Sequence, residues 1–246
     1  MHPVNKVLSC FNVRITKAKK DIPKDFLSEY ERSLNNLKRD CKDWNIIREL
    51  RYDIGVHPEG GEIFQCNFAA NCINKLNPKN ILDIGSYREF IIGMLSHYQV
   101  TTIDVRERKP ILSNETVVTC DAKELRLGNN KFDAVVSLCA LEHFGLGRYG
   151  DEFDLSGDKK AFKEMVRVVR PGGSVIFTTL ITKGYPIIAF NAHKVYTLAM
   201  LKEFCSGLIC EEEKFYSYKT NNFCAYDDIT EKPNAWDIYC GCWRKQ

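Results

Sequence analysis

The segment Asn80-Ile81-Leu82-Asp83-Ile84-Gly85-Ser86 decides the fold of this chain. Its apolar run begins after a turn-forming stretch and stops at Asp-Ile-Gly, which is typical of a buried parallel strand that leads into a backbone turn. Gly85 allows that turn to be sharp or to approach a ligand closely. A second strand, residues 100–103, ends at Asp104. This order of strand, glycine turn, helix, strand and acid outlines a nucleotide-binding βαβ unit, although any α/β unit with a glycine turn would share it.

Strands and helices alternate along the rest of the chain, which predicts a parallel sheet covered by helices on both faces. We predict further strands over residues 117–120, 132–138, 174–180, 214–218 and 236–243, and helices over 89–97, 160–169 and 195–205. Before them, residues 25–39 show helical spacing of apolar side chains, and residues 42–50 predict a shorter helix. We therefore expect an N-terminal helical extension over residues 1–60 and one α/β domain over residues 61–246.

The composition is that of an ordinary globular protein. The 246 residues are 44% hydrophobic and 27% charged, with a net charge of +3. No signal-like N-terminus, long apolar run or basic block stands out, so we expect a cytoplasmic protein with no membrane span and no nucleic-acid partner. The oligomeric state stays open. Eleven scattered cysteines predict reduced, buried thiols. Cys240-Gly241-Cys242 lacks a second ligand pair, so no metal site is expected.

Three successive strands end in an acid, namely Asp83, Asp104 and Asp121. In parallel sheets ligands bind at the carboxyl ends of the strands, so these acids are expected at one edge. One such acid could cap a helix, but three would line a site with acceptors suited to ribose hydroxyls and amino groups. A single glycine and this lining both disfavour a pyrophosphate. S-adenosyl-L-methionine is therefore favoured over NAD or FAD, and no P-loop motif is present.

Several motifs, in this order, resemble those of class I S-adenosylmethionine-dependent methyltransferases. They are Leu82-Asp83-Ile84-Gly85, Asp104, Asp121-Ala122, Phe132-Asp133-Ala134-Val135-Val136 and Arg170-Pro171-Gly172-Gly173. The resemblance implies a Rossmann-like, doubly wound seven-stranded sheet with an antiparallel last strand. It also implies site residues. Asp83, Gly85 and Ser86 would hold the methionine moiety, Asp104 with Val105 the ribose, Asp121 with Ala122 the adenine, and Leu138 the rim beside the methyl group. The usual three-glycine loop is reduced here to Gly85.

A narrower resemblance lies in residues 137–151, which contain Leu141-Glu142-His143-Phe144-Gly145-Leu146-Gly147-Arg148-Tyr149-Gly150-Asp151, and in Phe190-Asn191-Ala192-His193. These motifs are similar to those of a poorly characterised, mostly bacterial branch that resembles methyltransferases of surface-polysaccharide gene clusters. The resemblance implies a sugar or a nucleotide-linked sugar as methyl acceptor.

The same motifs supply the candidate acceptor site. His143 is a candidate general base, with a structural histidine as the alternative. Arg148 would bind a phosphate or carboxylate of the acceptor, or would pair with Asp151 or Asp154 within its loop. Glu142, Tyr149 and Asn191 are further candidate acceptor contacts, and His193 is a second candidate base.

The sequence thus predicts a methyltransferase that uses S-adenosyl-L-methionine and acts on an oxygen or nitrogen of a small polar acceptor. Two alternatives remain: a non-catalytic scaffold or binding protein of the same fold, and a nucleotide-dependent oxidoreductase. Methyl transfer from a sulfonium needs alignment of the reactants more than covalent help, so the sequence need not contain an acidic catalyst.

Overall fold

The structure is a computed structural model that describes residues 22–43, 46, 48, 50, 60–110 and 112–246. The helices are α1 (Lys24–Asp40), α2 (Gly61–Leu76), α3 (Arg88–Met94), α4 (Gly157–Val168) and α5 (Leu198–Phe204). The strands are β1 (Asn80–Ile84), β2 (Gln99–Asp104), β3 (Glu115–Thr119), β4 (Phe132–Leu138), β5 (Val169–Ile181), β6 (Ile187–Ala189), β7 (His193–Val195), β8 (Leu208–Ser217), β9 (Asn222–Cys224) and β10 (Asp237–Lys245). Single 3-10 turns cover Leu141–His143 and Tyr226–Asp228. Of the helix predicted over residues 42–50, the structure describes residues 42, 43, 46, 48 and 50, and none of these is helical; the other residues lie outside the described part of the chain.

Eight strands form the main sheet, in the order β3-β2-β1-β4-β5-β10-β8-β9. β1 to β5 are parallel, and β10 runs antiparallel between β5 and β8. The predicted doubly wound α/β fold with an antiparallel last strand is therefore confirmed. The sheet has one strand more than the seven expected, because the short β9 pairs with the end of β8 at the outer edge. β6 and β7 form a separate hairpin.

The central strands are apolar on both sides because helices cover both faces of the sheet. On one face, Phe68 and Ile73 of α2 and Ile91 of α3 pack in one core with Ile81 of β1. On the other face, Phe162 of α4 belongs to a second core. The chain order changes direction between β1 and β4, and this is the point at which parallel α/β sheets open a crevice for ligands.

The chain divides into two compact units, residues 1–57 and residues 58–246, and α1 belongs to the first. The predicted domain boundary at residue 60 stays a prediction. No helix in the described part of the chain has the length and apolarity needed to cross a membrane. The ten cysteines in the described residues are free thiols, and most of them are at least partly buried.

A buried ion cluster ties α3 to the outer strands. The Glu115 side chain is fully buried and accepts two hydrogen bonds from Arg88, of 2.5 and 2.8 Å. It also accepts one from Arg108, of 2.6 Å, and one from Thr102, of 3.2 Å. Burial opposes ionisation of Glu115, but the two guanidinium groups outweigh it and lower its pKa to about 2. The first turn of α3 is thereby tied to β2 and to the start of β3.

We predict that Glu115→Gln lowers the free energy of unfolding by about 3 kcal/mol at pH 7, because two guanidinium groups lose their charged partner. The pKa of Glu115 lies below that of an unfolded glutamate. Its contribution is therefore present above about pH 4.5 and is lost as the pH falls towards 2. Urea denaturation across this range measures both effects.

Glu211→Gln is the matched control, because the Glu211 side chain is 40% exposed where it pairs with Arg244. It should cost about 0.5 kcal/mol or less. Equal losses for the two variants would contradict a special role for the Glu115 cluster.

Candidate functional site

A pocket of about 150 Å³ opens at the carboxyl edge of the sheet, beside the ends of β1, β2 and β4. Seven of the predicted site residues line it: Gly85, Asp104, Val105, Asp121, Ala122, His143 and Tyr149. Tyr149 lies at its mouth. The remaining lining residues are Ile84, Ile103, Arg106, Cys120, Cys139, Ala140, Phe144 and Asp151. Two of the three acids predicted at strand ends, Asp104 and Asp121, thus line one pocket, at the edge that the parallel topology predicts.

The floor of the pocket is the turn after β1. Gly85 has a φ of +73°, and an added Cβ would lie 2.9 Å from the Cβ of Ala140. Ser137 Oγ donates to the Ile84 carbonyl (2.9 Å), and Ser86 Oγ accepts from the Leu138 amide (3.1 Å). These contacts hold the β1 turn against the end of β4, so a side chain at position 85 would close the pocket.

Asp83 lies beneath this floor and does not line the pocket. Its side chain is buried and accepts one hydrogen bond from the Ser86 amide, of 3.1 Å. Burial raises the pKa of Asp83 to about 6, although the Ser86 hydrogen bonds and the charges of Arg108 and Arg88 work in the other direction. Asp83 and Ser86 therefore shape the turn from below, and the backbone at Gly85 is what a ligand would meet.

Asp104 ends β2 with its carboxylate already engaged. Oδ1 accepts from the amide and Nε of Arg106, each at 2.9 Å, and Oδ2 accepts from Arg106 Nη2 at 2.9 Å. Burial opposes ionisation of Asp104, but Arg106 outweighs it and lowers the pKa of the carboxyl. Val105 lies next to it, partly exposed on the pocket wall.

Asp121 follows β3, the neighbour of β2, and lines the same pocket. Its Oδ1 accepts from the Lys123 amide at 2.8 Å, and Lys123 Nζ lies 3.3 Å from Oδ2. Ala122 beside it is buried and presents its small side chain to the pocket. A flat heterocycle would find here a narrow apolar wall with polar groups at its edge.

The residue after β4, Cys139, lines the pocket where Leu138 was predicted to. Leu138 is buried in the sheet, whereas Cys139 has a φ of +48°, which is uncommon for a residue other than glycine. Its amide donates to Thr178 Oγ1 at 3.0 Å and its thiol to Gln65 Oε1 at 2.9 Å. Such a backbone is kept where the surrounding bonds enforce it, often at functional sites.

Glu142, predicted to contact the acceptor, is buried in the 3-10 turn and lies behind the pocket wall. One oxygen accepts from Thr179 Oγ1 at 2.9 Å. Burial raises the pKa of Glu142 to about 7, although the Thr179 hydrogen bond and the charge of Arg148 work in the other direction. The site thus contains a buried carboxyl group that ionises near neutral pH.

His143 lies in the wall with one ring nitrogen fixed. Its Nδ1 is 2.6 Å from the Ala192 carbonyl oxygen, so Nδ1 carries the proton and Nε2 keeps a free lone pair. Arg148 Nη1 donates to the same carbonyl at 3.2 Å. Burial, together with the charge of Arg148, lowers the pKa of His143 to about 4. The imidazole is therefore neutral at physiological pH.

Tyr149 stands at the mouth of the pocket between two arginines. The guanidinium carbons of Arg106 and Arg148 lie 5.5 and 5.3 Å from its ring centroid. The predicted alternative for Arg148, a salt bridge to Asp151 or Asp154, is not formed in the described structure. Asp151 accepts from the Gly145 amide, and Asp154 pairs with Lys160.

The two ends of the glycine-rich loop, residues 145–157, pack closely against each other. An added Cβ on Gly145, whose φ is +79°, would lie 2.0 Å from the Asp154 carbonyl oxygen. One on Gly157 would lie 2.8 Å from the Gly145 Cα. Both glycines therefore allow a backbone crossing that holds Tyr149 over the pocket.

His193 and Asn191 lie outside the pocket lining. His193, on β7, packs edge-on against Trp236 with centroids 4.6 Å apart, and its Nε2 has no hydrogen-bond partner in the described structure. Asn191 donates from Nδ2 to the Leu146 carbonyl at 3.3 Å. These residues position the β6–β7 hairpin beside the glycine-rich loop.

Eight lining residues were not among the predicted site residues, and Arg106 and Cys139 are two of them. Cys139 directly follows β4, and Arg106 lies two residues after the end of β2, so a position just beyond a strand end is the signal that could have identified them.

Comparison with known proteins supports the fold. The chain is similar to the 1,6-didemethyltoxoflavin-N1-methyltransferase of Burkholderia thailandensis, crystallised with 1,6-didemethyltoxoflavin and S-adenosylhomocysteine. The TM-score is 0.57, with 15% identity over 94% of this chain and 93% of that one. It is also similar to the [4+2]-cyclase SpnF, with a TM-score of 0.55 and 15% identity over 86% and 92% of the two chains. At such identities the likeness establishes the fold alone, and the fold carries more than one kind of reaction.

A family profile described as "Caenorhabditis protein of unknown function, DUF268" matches residues 94–222. A search of curated protein sequences found no match.

We predict that Glu142→Gln alters how stability depends on pH. The pKa of Glu142 in the folded state, about 7, exceeds the ordinary glutamate pKa of 4.5. The wild type therefore loses stability as the pH rises from 4.5 to 7, and the variant does not. Relative to wild type, Glu142→Gln should gain about 2 kcal/mol between pH 5 and pH 8. Urea denaturation at the two values measures it.

Glu231→Gln, at an exposed position, is the control and should show no such gain. A difference between Glu142→Gln and wild type that stays constant from pH 5 to pH 8 would mean that Glu142 titrates like a surface carboxyl.

Proposed function

The chain belongs to the DUF268 family, which is of unknown function, and we propose that it is an S-adenosyl-L-methionine-dependent methyltransferase. The observation that carries this proposal is the pocket at the carboxyl edge of the sheet. There, one glycine turn and the acids that end two neighbouring strands face a common space. The sequence motifs that resemble class I methyltransferases supply these same residues.

The residues present fit such a cofactor. The backbone at Gly85 would accommodate the methionine moiety, the Asp104 carboxylate would accept the ribose hydroxyls, and Asp121 with Ala122 would border the adenine. When bound, S-adenosylmethionine supplies a methyl group already activated on a sulfonium. Three acids near this edge disfavour a pyrophosphate, which argues against the oxidoreductase alternative.

The chain itself would position the acceptor and handle its proton. His143 Nε2 has a free lone pair, and the Ala192 carbonyl holds the ring in place. This group could take a proton from a hydroxyl or amine bound beside Cys139 and Ala140. Arg148 and Tyr149 at the mouth would contact the polar end of the acceptor. The Glu142 side chain is buried behind the pocket wall, so it would affect the acceptor without contacting it.

For the acceptor we propose a small polar molecule methylated on oxygen or nitrogen, with a sugar or nucleotide-linked sugar of surface-polysaccharide synthesis as the first choice. This choice rests on the narrower sequence resemblance. The cytoplasm is the proposed location, and the oligomeric state is left open.

The cofactor proposal is tested by calorimetric titration with S-adenosylhomocysteine. Wild type should bind it, and Asp104→Ala should weaken binding at least tenfold, because two hydrogen bonds to a carboxylate are lost. Asp228→Ala, at an exposed position away from the pocket, is the matched control and should bind like wild type. No heat of binding with folded wild-type protein would sink the proposal.

The acceptor proposal is tested by following formation of S-adenosylhomocysteine with a panel of free sugars, nucleotide-linked sugars and small amines. With an active acceptor, His143→Gln should lower kcat about 100-fold, and His193→Gln, outside the pocket, should change it little. Because the pKa of His143 is about 4, wild-type kcat should not rise through pH 6.5. Tight cofactor binding with no turnover across the panel would favour the non-catalytic binding protein.

A further inference from the structure

Arg106 donates three hydrogen bonds to Asp104. Its amide and Nε donate to Oδ1, and its Nη2 donates to Oδ2, each at 2.9 Å. An ionised carboxylate has about four lone-pair sites, two on each oxygen. Oδ1 is therefore saturated, and one site remains on Oδ2.

A vicinal diol needs more acceptor sites on Asp104 than the single one that Arg106 leaves free. The two hydroxyls of a ribose bind a carboxylate best when each donates to a different oxygen, so both Oδ1 and Oδ2 must offer a site. The Arg106 amide is part of the backbone and stays in place. Release of the guanidinium alone would free one site on Oδ1 and a second on Oδ2.

The Arg106 side chain also bridges two walls of the pocket. It begins beside Asp104 on the β2 wall, and its guanidinium carbon lies 5.5 Å from the ring centroid of Tyr149 on the glycine-rich loop. Arg106, Asp104 and Tyr149 all line the same pocket. The side chain therefore crosses the opening that a nucleoside would use.

The bridge is weakly held. The Arg106 side chain is 67% exposed and that of Asp104 is 22% exposed. Ion pairs at such positions contribute little, because water and salt screen them, and an exposed cation–π contact adds a similarly small amount. The guanidinium can therefore exchange Asp104 for solvent at low cost when a better donor arrives.

We propose that Arg106 is a specificity-determining residue that competes with the cofactor for Asp104 and closes the ribose subsite until a ligand with a vicinal diol displaces it. This inference rests on the proposed function. A ligand with one hydroxyl at this position cannot replace both guanidinium hydrogen bonds, so Arg106 selects for an intact ribose.

The test is calorimetric titration of S-adenosylhomocysteine into wild type, Arg106→Ala, Arg106→Lys and Arg126→Ala. Arg106→Ala should bind about fivefold more tightly than wild type, since the competing ion pair is absent. Arg106→Lys, which keeps the charge but loses the fork, should fall between them. Arg126→Ala removes one charge at an exposed position outside the pocket and should match wild type.

Two further measurements separate competition from a general gain in access. Raising the salt from about 0.05 to about 0.5 M should tighten binding to wild type and leave Arg106→Ala unchanged, because screening weakens the Arg106–Asp104 pair. The 2′-deoxyribose analogue of S-adenosylhomocysteine should lose more affinity for wild type than for Arg106→Ala.

The outcomes are distinct. If wild type binds S-adenosylhomocysteine at least as tightly as Arg106→Ala, the competition is wrong and the proposed cofactor stands. If none of the four proteins binds it, the proposed cofactor and the competition both fall.

Discussion

The contact between the turn after β1 and the end of β4 is the constraint on which the site depends. Two serine hydroxyls, Ser137 and Ser86, join strands that are neighbours in the sheet but more than 50 residues apart in the chain. Gly85 makes the contact close enough, since its missing Cβ leaves room for Ala140. Because the two strands are fixed at this point, the residues that follow them, including Cys139 and His143, are placed around one pocket.

The acids around the pocket are kept in different electrostatic states. Asp104 is neutralised by Arg106 and Asp121 by Lys123, whereas Asp83 and Glu142 are buried with no ion-pair partner in the described residues. Arg106 outweighs burial and lowers the pKa of Asp104, whereas burial raises the pKa of Asp83 and of Glu142. A ligand would meet hydrogen-bond acceptors on the surface of the pocket and neutral or titrating groups behind it. This arrangement suits a nucleoside better than a polyphosphate.

Much of the fold could be predicted from the sequence because parallel strands and amphipathic helices leave strong periodic patterns. The strand-ending positions of Asp83, Asp104 and Asp121 placed the edge of the site for the same reason. The additional strand β9 was missed, since a three-residue edge strand has no pattern of its own. The sequence was a poorer guide to which side chains are buried and which face the pocket. Leu138 and Cys139 are adjacent, and which of them faces the pocket depends on the left-handed backbone at Cys139, which no propensity foretells.

The same limit applies to Glu142, His193 and Arg106. A glutamate beside a histidine in a polar loop indicates an exposed pair, yet the 3-10 turn directs Glu142 inward towards Thr179. His193 is drawn away from the pocket by its packing on Trp236, which is distant in the sequence. The sequence around Arg106 indicates only an exposed charge. Its contacts with Asp104 and Tyr149, which lie far apart in the chain, become visible only in the structure.

The free thiols have a consequence for the chemistry of the protein. Burial raises the pKa of Cys205 and Cys240 far above neutrality, and that of Cys66 to about 11. Thiolates, not thiols, react with oxidants and alkylating reagents, so these sulfurs are almost inert in the folded state. These three positions are therefore protected from oxidation and alkylation while the chain is folded. Cys210, which is exposed on β8, is a natural point for attaching a label far from the pocket.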